Sequence, residues 1–298
     1  MKPQNIAYVS YAALRNIARA TGLMGPARRL MGPAVGKLLY RMSPGGPGPA
    51  QINGHKMILA SPGSYPPMDM AMARYEPPTT RLFEDILKPG MAVIDVGAHV
   101  GYYTLLAAKQ VGPTGNVFSF EPNQDNHALL LKNVELNGYD NVVVNNLAVS
   151  DRIGASELYL TALDSGRHSM FHHGLPERGV ATVNTTTLDA FLESQGWPHI
   201  DLIKIDVEGA EQTVLRGMTR LLESSGNLKL IIELNPGMLN SAEVDPLQFL
   251  ELLTSLGLSV RIIDAARGSV PLAPGDGPSL VDGLIAKETS INLFCEQR

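Results

Sequence analysis

One aspartate and two glycines stand close together near residue 95, in a pattern that suits the binding of a small ligand. The segment from 91 to 109 has the sequence MAVIDVGAHVGYYTLLAAK, which is apolar up to Asp95 and then passes Gly97 and Gly101. This order predicts a buried strand, a glycine-bearing turn and the start of a helix. Such a turn brings main-chain N–H groups close to a ligand and places one acid at the strand end.

The spacing of these residues distinguishes between two kinds of ligand. A dinucleotide-binding turn has Gly-x-Gly-x-x-Gly and holds a pyrophosphate at the helix N-terminus. This chain has Asp-x-Gly-x-x-x-Gly instead, which argues against a nicotinamide-dependent oxidoreductase. An acid two residues before the first glycine suits a ligand with a positively charged amine, and S-adenosylmethionine is such a ligand.

The next two strand candidates, 116–121 and 142–148, end in residues that suit an adenosine. Glu121 ends the first, where a carboxylate can accept hydrogen bonds from both ribose hydroxyls. The alternative is an ordinary exposed acid before a turn. Ala148 and Val149 follow the second strand and leave room for an adenine ring, with simple packing as the alternative.

Three acids lie at or near the ends of two later strand candidates. The strand at 201–207 delivers Asp206 and Glu208, and the strand at 228–234 delivers Glu233, to the edge where ligands of open α/β sheets bind. Neighbouring carboxylates raise one another's pKa, which suits a general base, so all three are candidate catalytic residues. Glu233 alternatively holds the acceptor or shares a metal with Asp206. The familiar metal-ligand spacings are absent, so we predict that no metal is required.

Several further residues keep two interpretations each. Glu211 contributes to function or favours the start of a helix through the macrodipole. His99 lies in the glycine turn, where its ring contacts the ligand or caps the helix. His168, His172 and His173 lie in a polar loop and are exposed to solvent or cover the acceptor.

Together these segments resemble the FkbM family of S-adenosylmethionine-dependent methyltransferases over roughly residues 90 to 260. Where relatives usually carry Asn after Gly-Ala, this chain has His99. The resemblance rests on VIDVGAHVG at 93–101, FEPN at 120–123, AVSD at 148–151, TTLD at 186–189 and IKIDVEGAE at 203–211.

The resemblance implies a Rossmann-like, seven-stranded class I methyltransferase sheet with helices on both faces, and an acceptor that lies over Asp206 and Glu208. It also implies O-methylation of a hydroxyl on a sugar, a glycolipid or another secondary metabolite. A catalytically inactive regulatory or scaffold subunit that binds the cofactor is the alternative. The residues predicted to bind S-adenosylmethionine are Asp95, Gly97, His99, Gly101, Glu121, Ala148, Val149 and Asp206.

The wider sequence supports an α/β fold of this kind. Of 298 residues, 44% are hydrophobic and 18% are charged, which is typical of a globular protein. Strand and helix patterns alternate from Met91, which indicates a parallel sheet covered on both faces. Further candidates are helices at 101–110, 124–137, 188–195, 210–224 and 245–256, a hairpin at 156–161 and 181–187, and strands at 259–264 and 291–295.

The N-terminal part of the chain differs in charge from the remainder. Residues 1–68 contain eight basic residues and no acid, so the other residues carry 24 − 8 = 16 basic against 29 acidic side chains, a net charge of −13. We predict a basic helical extension with a Pro/Gly linker over 1–50 and a methyltransferase domain over 51–298. The extension packs on the domain or on a second subunit, or lies on an anionic membrane surface.

Charge and cysteine content narrow the partners and the compartment. No basic patch accompanies the predicted site, so we expect no nucleic acid partner and a sugar, lipid or other small-molecule acceptor. A single cysteine, Cys295, and no apolar run of membrane-spanning length predict a cytoplasmic protein. Peripheral contact with the inner membrane face through the basic extension, and a homodimer, are left open.

Overall fold

A computed structural model describes residues 48–60, 68–71, 75–162 and 165–297. The predicted basic extension, apart from the end of its linker, lies outside the described residues. The described chain forms a large sheet, a small sheet and a short hairpin. In chain order the strands are β1 (Ala50–Ile52), β2 (His55–Met57), β3 (Ala92–Val96), β4 (Asn116–Phe120), β5 (Val142–Asn145), β6 (Ala148–Val149), β7 (Gly154–Thr161), β8 (Glu177–Thr186), β9 (Leu202–Ile205), β10 (Lys229–Leu234), β11 (Leu258–Asp264), β12 (Gly268–Pro271) and β13 (Ile291–Gln297).

Helices connect most of these strands, and side-chain caps begin several of them. Asn123 caps α4 by accepting from Asn126 N, and Asp245 caps α9 by accepting from Leu247 N and Gln248 N. The helices are α1 (Met68–Ala71), α2 (Pro77–Ile86), α3 (Tyr102–Val111), α4 (Gln124–Asn137), α5 (Leu188–Ser194), α6 (Glu211–Arg216), α7 (Thr219–Ser224), α8 (Pro236–Ser241), α9 (Pro246–Ser255) and α10 (Gly277–Ala286).

The large sheet has the spatial order β12-β11-β13-β10-β9-β3-β4-β5. The strands from β10 to β5 are parallel to one another, whereas β13 runs antiparallel to both β10 and β11. The predicted α/β fold is confirmed, and the seven strands from β11 to β5 form the sheet that the resemblance implied. The short strand β12 adds an eighth strand at one edge.

Both faces of this sheet are covered, because successive side chains of a strand point to opposite sides. In β3, Ile94 and Val96 pack in an apolar layer with helices α5 to α10. Val93, which precedes Ile94, packs in a second layer with α2, α3 and α4. Burial on both sides explains why the central strands are almost continuously apolar in sequence.

The predicted hairpin is confirmed as β7 and β8, which pair antiparallel, but two predicted elements are divided. The strand expected at 142–148 ends at Asn145, and Ala148–Val149 pairs with β8 in the small sheet instead. The side-chain amide of Asn146 donates to the carbonyls of Glu121 and Pro122 and so turns the chain away from β4. The helix expected at 210–224 is interrupted at Gly217, where a Cβ would lie 2.0 Å from a neighbouring carbonyl oxygen, that of Ser150.

Gly97 permits the close approach of β3 and β9 at their carboxyl ends. Its φ is +83°, and a Cβ there would lie 1.9 Å from the carbonyl oxygen of Asp206. Asp206 N in turn donates to Val96 O at 3.0 Å. The glycine therefore sets the distance between the turn after β3 and the acid after β9.

The layer that contains α3 also holds a buried lysine. Lys204 Nζ donates to Asp206 Oδ2 at 2.8 Å, and 2% of the lysine side chain is exposed. The ammonium also lies 4.6 Å from the centre of the Tyr103 ring. Burial by itself lowers the pKa of Lys204, but the carboxylates of Asp206 and Glu76 outweigh burial and raise the pKa above its ordinary value. The lysine therefore stays charged and fixes the carboxylate that follows β9.

Glu76, immediately before α2, belongs to the same buried cluster. Its Oε2 accepts from the Tyr103 hydroxyl at 2.7 Å and from the Asn292 amide at 2.9 Å. Burial raises the pKa of Glu76, and the positive charge of Lys204 opposes that change. The segment before β3 and the last strand, β13, thus meet at the base of the predicted site.

We predict that Gly97→Ala destabilises the protein by about 2–5 kcal/mol, because a left-handed backbone and a clash with main-chain atoms add together. Gly138→Ala is the matched control: its φ is +66° and no atom lies within 4 Å of the added Cβ. The control is expected to cost about 1–2 kcal/mol. Urea unfolding measures both, and equal losses would show that the close approach at Gly97 is unimportant.

We also predict that Lys204→Met lowers the free energy of unfolding by about 3–5 kcal/mol, because it leaves buried carboxylates without their cation. Lys229→Met, in the adjacent strand β10, controls for the loss of a lysine from the sheet and is expected to change stability by less than about 1 kcal/mol. Denaturant titration of both variants is the measurement. A loss at Lys204 no larger than that at Lys229 would contradict the role given to the buried pair.

Candidate active site

A cleft lies at the carboxyl ends of β3, β4 and β9, beneath the loop that joins β7 to β8. The space between its walls, including the part open to solvent, is about 550 Å³. The structure brings together at this cleft most of the residues predicted from the sequence. Those that line it are Gly97, His99, Glu121, Ala148, Val149, Asp206 and Glu208.

Glu121 is held firmly at the end of β4. Its Oε2 accepts from His99 N at 2.8 Å and its Oε1 accepts from Asn123 N at 2.9 Å. Oε1 also accepts from the Asn126 amide at 3.5 Å. A carboxylate has about four acceptor positions, so these bonds leave capacity for a hydroxyl donor from a ligand. Burial raises the pKa of Glu121 to about 7, although the N–H groups of Asn123 and His99 favour the charged form.

The His99 ring joins the glycine turn to the loop above it. Its Nε2 lies 2.9 Å from Ser165 Oγ, and the carbonyl of Ser165 accepts from the Asn126 amide at 3.0 Å. His99 has a φ of +52°, in the left-handed region. The ring therefore spans the cleft and contacts the loop while it lines the site.

Small and apolar residues form one wall of the cleft. Ala148 and Val149 in β6 are 4% and 2% exposed, and Leu158 and Met170 from the β7–β8 unit lie on the same cleft. A narrow apolar space of this kind suits a flat aromatic base. The place predicted for the adenine ring thus lies within this cleft, and the assignment stays a prediction.

Asp95 and Gly101 do not line the cleft. Asp95 is 2% exposed, and its Oδ2 accepts from Thr104 Oγ1 at 2.6 Å. It lies opposite Lys204 in the register of β3 and β9 and so faces the buried lysine. Gly101 precedes α3 with a φ of +96°, and a Cβ there would lie 2.5 Å from Leu130. Both residues act on the turn from beneath it.

Asp206 and Glu208 form the acidic side of the cleft. Glu208 has a φ of +51°, an uncommon conformation that is concentrated at functional sites. Ser169 Oγ donates to the Glu208 carbonyl at 2.7 Å, and Arg167 Nε lies 3.9 Å from Glu208 Oε1. The β7–β8 loop thus contacts both the glycine turn, through Ser165, and the acidic side of the cleft.

Glu211, the first residue of α6, makes a structural contact with the main chain. It is fully buried, and its Oε1 accepts from Val207 N and Gly209 N, both at 3.2 Å. Burial raises the pKa of Glu211 to about 7, and the same N–H groups oppose that change. Its carboxylate holds the turn that carries Glu208, and it does not line the cleft.

Glu233 lies behind the cleft in β10 and is 7% exposed. Burial, and then the neighbouring carboxylates of Asp206 and Glu208, raise the pKa of Glu233 well above its ordinary value. Its side chain faces the same layer as Lys204, since residues 204 and 231 pair across β9 and β10.

Lys204, Glu76 and Arg167 have no role predicted from the sequence. Lys204 had a signal, because it is a charged residue within the otherwise apolar strand LIKI. Arg167 lies in the loop noted for its histidines, of which His168 lines the cleft and His172 is exposed. Glu76 lies outside the alternating strands and helices and had no signal.

The chain is similar to several known methyltransferases. The hexuronic acid methyltransferase AglP of Haloferax volcanii is 29% identical over 168 residues, which cover 56% of this chain and 63% of AglP. The methyltransferase sdnD of Sordaria araneosa is 24% identical over 155 residues, which cover 42% of this chain and 60% of sdnD. The chain thus spans a little under two thirds of the length of these relatives.

Among solved structures, a SAM-dependent methyltransferase from Aquifex aeolicus is 17% identical, with a TM-score of 0.41, over 74% of this chain and 89% of that one. The methyltransferase FkbM domain model matches residues 95–260, more than half of the chain. S-adenosylmethionine is the cofactor of this family. The chemistry of the lining fits it, because the cleft offers the carboxylate of Glu121 and the small apolar side chains of Ala148 and Val149. The chain therefore belongs to the FkbM methyltransferase domain family.

Proposed function

We propose that this protein transfers the methyl group of S-adenosylmethionine to a hydroxyl oxygen of a sugar. The observation that carries the proposal is that two carboxylates, Asp206 and Glu208, line the same cleft as Glu121 and Ala148. A proton acceptor and the residues suited to an adenosine therefore share one site. An inactive subunit that only binds the cofactor would have no need of the acidic side.

Each side of the cleft has its own task in this proposal. Glu121 accepts the ribose hydroxyls, and Ala148 with Val149 encloses the adenine ring. When bound, S-adenosylmethionine supplies a methyl group attached to a sulfonium sulfur. Loss of that methyl group leaves the sulfur as the thioether of S-adenosylhomocysteine. Asp206 or Glu208 takes the proton that the acceptor hydroxyl loses. Such general-base assistance is typically worth about 10²–10⁴-fold in rate.

A sugar is favoured as the acceptor by the chemistry of the cleft and by the relatives. Carboxylates accept hydrogen bonds, and a sugar offers several hydroxyl donors close together. AglP, 29% identical over the matched residues, is named as a hexuronic acid methyltransferase. A glycolipid or another hydroxylated metabolite also presents hydroxyl groups. The methyl-transfer assay with several acceptors distinguishes these compounds from a simple sugar.

The other expectations about partners and location stay predictions. These are a sugar or lipid acceptor, no nucleic acid, a homodimer, and contact of the basic extension with the inner membrane face in a cytoplasmic protein. None of the helices within the described ranges combines the length and the apolar composition that a bilayer crossing requires.

Cofactor affinity should depend on pH through Glu121. Because its pKa is raised to about 7, the protonated fraction grows as the pH falls through 7, and a protonated carboxyl is a poorer acceptor for ribose hydroxyls. We expect the affinity for S-adenosylhomocysteine to fall about tenfold between pH 8 and pH 6. Isothermal titration calorimetry measures this change.

The variant Glu121→Gln should bind S-adenosylhomocysteine more weakly at pH 8 and should lose the dependence on pH. Glu135→Gln, an exposed position on α4, is the control and should behave as the parent protein. The same slope in the Glu121 variant as in the parent would assign the titration to another group. No binding of S-adenosylhomocysteine by the parent at any pH would refute the proposed function.

The acceptor is tested by methyl transfer from labelled S-adenosylmethionine to hexuronic acid glycosides, neutral hexose glycosides and a glycolipid extract. We expect label in a product that resists mild base, as a methyl ether does and a methyl ester does not. Glu208→Gln should lower turnover about 10²-fold or more, with S-adenosylhomocysteine affinity changed less than about threefold. Binding without transfer to any acceptor would favour the inactive alternative.

A further inference from the structure

Three carboxylates converge at the carboxyl ends of β9 and β10. One carboxylate oxygen from each of Asp206, Glu208 and Glu233 lies within 4.8 Å of the other two. Ile205 pairs with Ile232 in the parallel register, so the residues that follow, Asp206 and Glu233, are neighbours across the two strands. Three oxygens at most 4.8 Å apart can all lie within about 2.8 Å of a common point, close to the 2.0–2.6 Å of Mg²⁺ and Ca²⁺ ligands.

An independent observation concerns the deepest of the three. Glu233 is 7% exposed, and its Oε2 is buried without a hydrogen-bond partner in the described part of the chain. A buried polar atom that lacks a partner costs about 1–3 kcal/mol, and more when the group is charged. An oxygen of this kind beside two other carboxylates is an available ligand for a cation.

The basic side chains nearby pair with the other two carboxylates. Lys204 Nζ pairs with Asp206 Oδ2 at 2.8 Å, and Arg167 Nε pairs with Glu208 Oε1 at 3.9 Å. Among the ion pairs of the described residues, none includes Glu233. Within the described residues, Glu233 therefore has no basic side chain as a partner.

We propose that Asp206, Glu208 and Glu233 bind one divalent cation of the hard, oxygen-preferring class, such as Mg²⁺ or Mn²⁺, on the acceptor side of the cleft. Three carboxylates and no nitrogen or sulfur ligand are the donor set that such ions prefer. The cation also holds oxygen atoms of the sugar, and this part of the inference rests on the proposed function. The proposed site replaces the expectation, drawn from ligand spacing, that no metal is required.

The role assigned to the cation follows from its position. Asp206 and Glu208 line the cleft, whereas Glu233 lies behind it, so an ion among them would face the acceptor. Ions of this class usually keep open positions that water or substrate oxygens fill. Two adjacent hydroxyls of a sugar can take such positions together, which orients one of them toward the methyl donor.

Metal binding is tested on the full-length chain after dialysis against a chelator, by titration with Mn²⁺ and electron paramagnetic resonance of the free ion. We expect one Mn²⁺ site per chain, from which Mg²⁺ displaces the ion. Glu233→Gln and Glu208→Gln should each weaken Mn²⁺ binding at least tenfold, whereas Glu135→Gln, exposed on α4, should leave it unchanged. Two variants are used because Glu233 is buried, and circular dichroism confirms that each is folded.

The outcomes separate this inference from the proposed function. Absence of stoichiometric Mn²⁺ binding, or binding that both variants retain, overturns the metal site even when S-adenosylhomocysteine still binds. Failure to bind S-adenosylhomocysteine refutes the proposed function and does not bear on the Mn²⁺ titration. Methyl transfer that stops with chelator and returns with Mg²⁺ supports the role toward the sugar, and transfer that chelator leaves unchanged overturns that role.

Discussion

The geometry of the site depends on one buried ion pair, Lys204 with Asp206. A charged lysine in an apolar layer is stable only if carboxylates surround it, and here Asp206, Glu76 and Asp95 do so. The lysine also limits where Asp206 can point, because Nζ holds Oδ2 at 2.8 Å. The same contact therefore stabilises the sheet and orients an acid in the cleft.

This buried cluster connects distant parts of the chain to the site. Glu76 precedes the methyltransferase core and Asn292 lies in the last strand, 216 residues later, yet their side chains bond to each other beside Lys204. Above the sheet, the β7–β8 loop contacts the glycine turn through Ser165 and the acidic turn through Ser169. The buried cluster on one side of the cleft and the β7–β8 loop on the other thus fix the positions of the glycine turn and the acidic turn relative to each other.

The central fold and several residues that line the cleft could be predicted from sequence because their signals are local. Gly97 and Glu121 stand at strand ends, where apolar runs stop, and both line the cleft. The divided strand at 142–148 was missed because the Asn146 amide bonds to main-chain atoms of another strand end. The position of Asp95 at a strand end is evident from the sequence, and this position predicted contact with the ligand. The buried Lys204 opposite Asp95 is not evident from the sequence, because it lies on another strand.

The three carboxylates at the ends of β9 and β10 cannot all have the same task, because they differ in access to solvent. A general base must pass its proton on, which suits Asp206 and Glu208 since both line the cleft. Glu233 is too deeply buried for that exchange, and its Oε2 has no hydrogen-bond partner among the described residues. In the proposed metal site, a carboxylate in that position holds the cation from behind, beside the two carboxylates that line the cleft. The order of burial along this cluster therefore assigns acceptor contact to Asp206 and Glu208, and the fixing of the cation to Glu233, in that proposal.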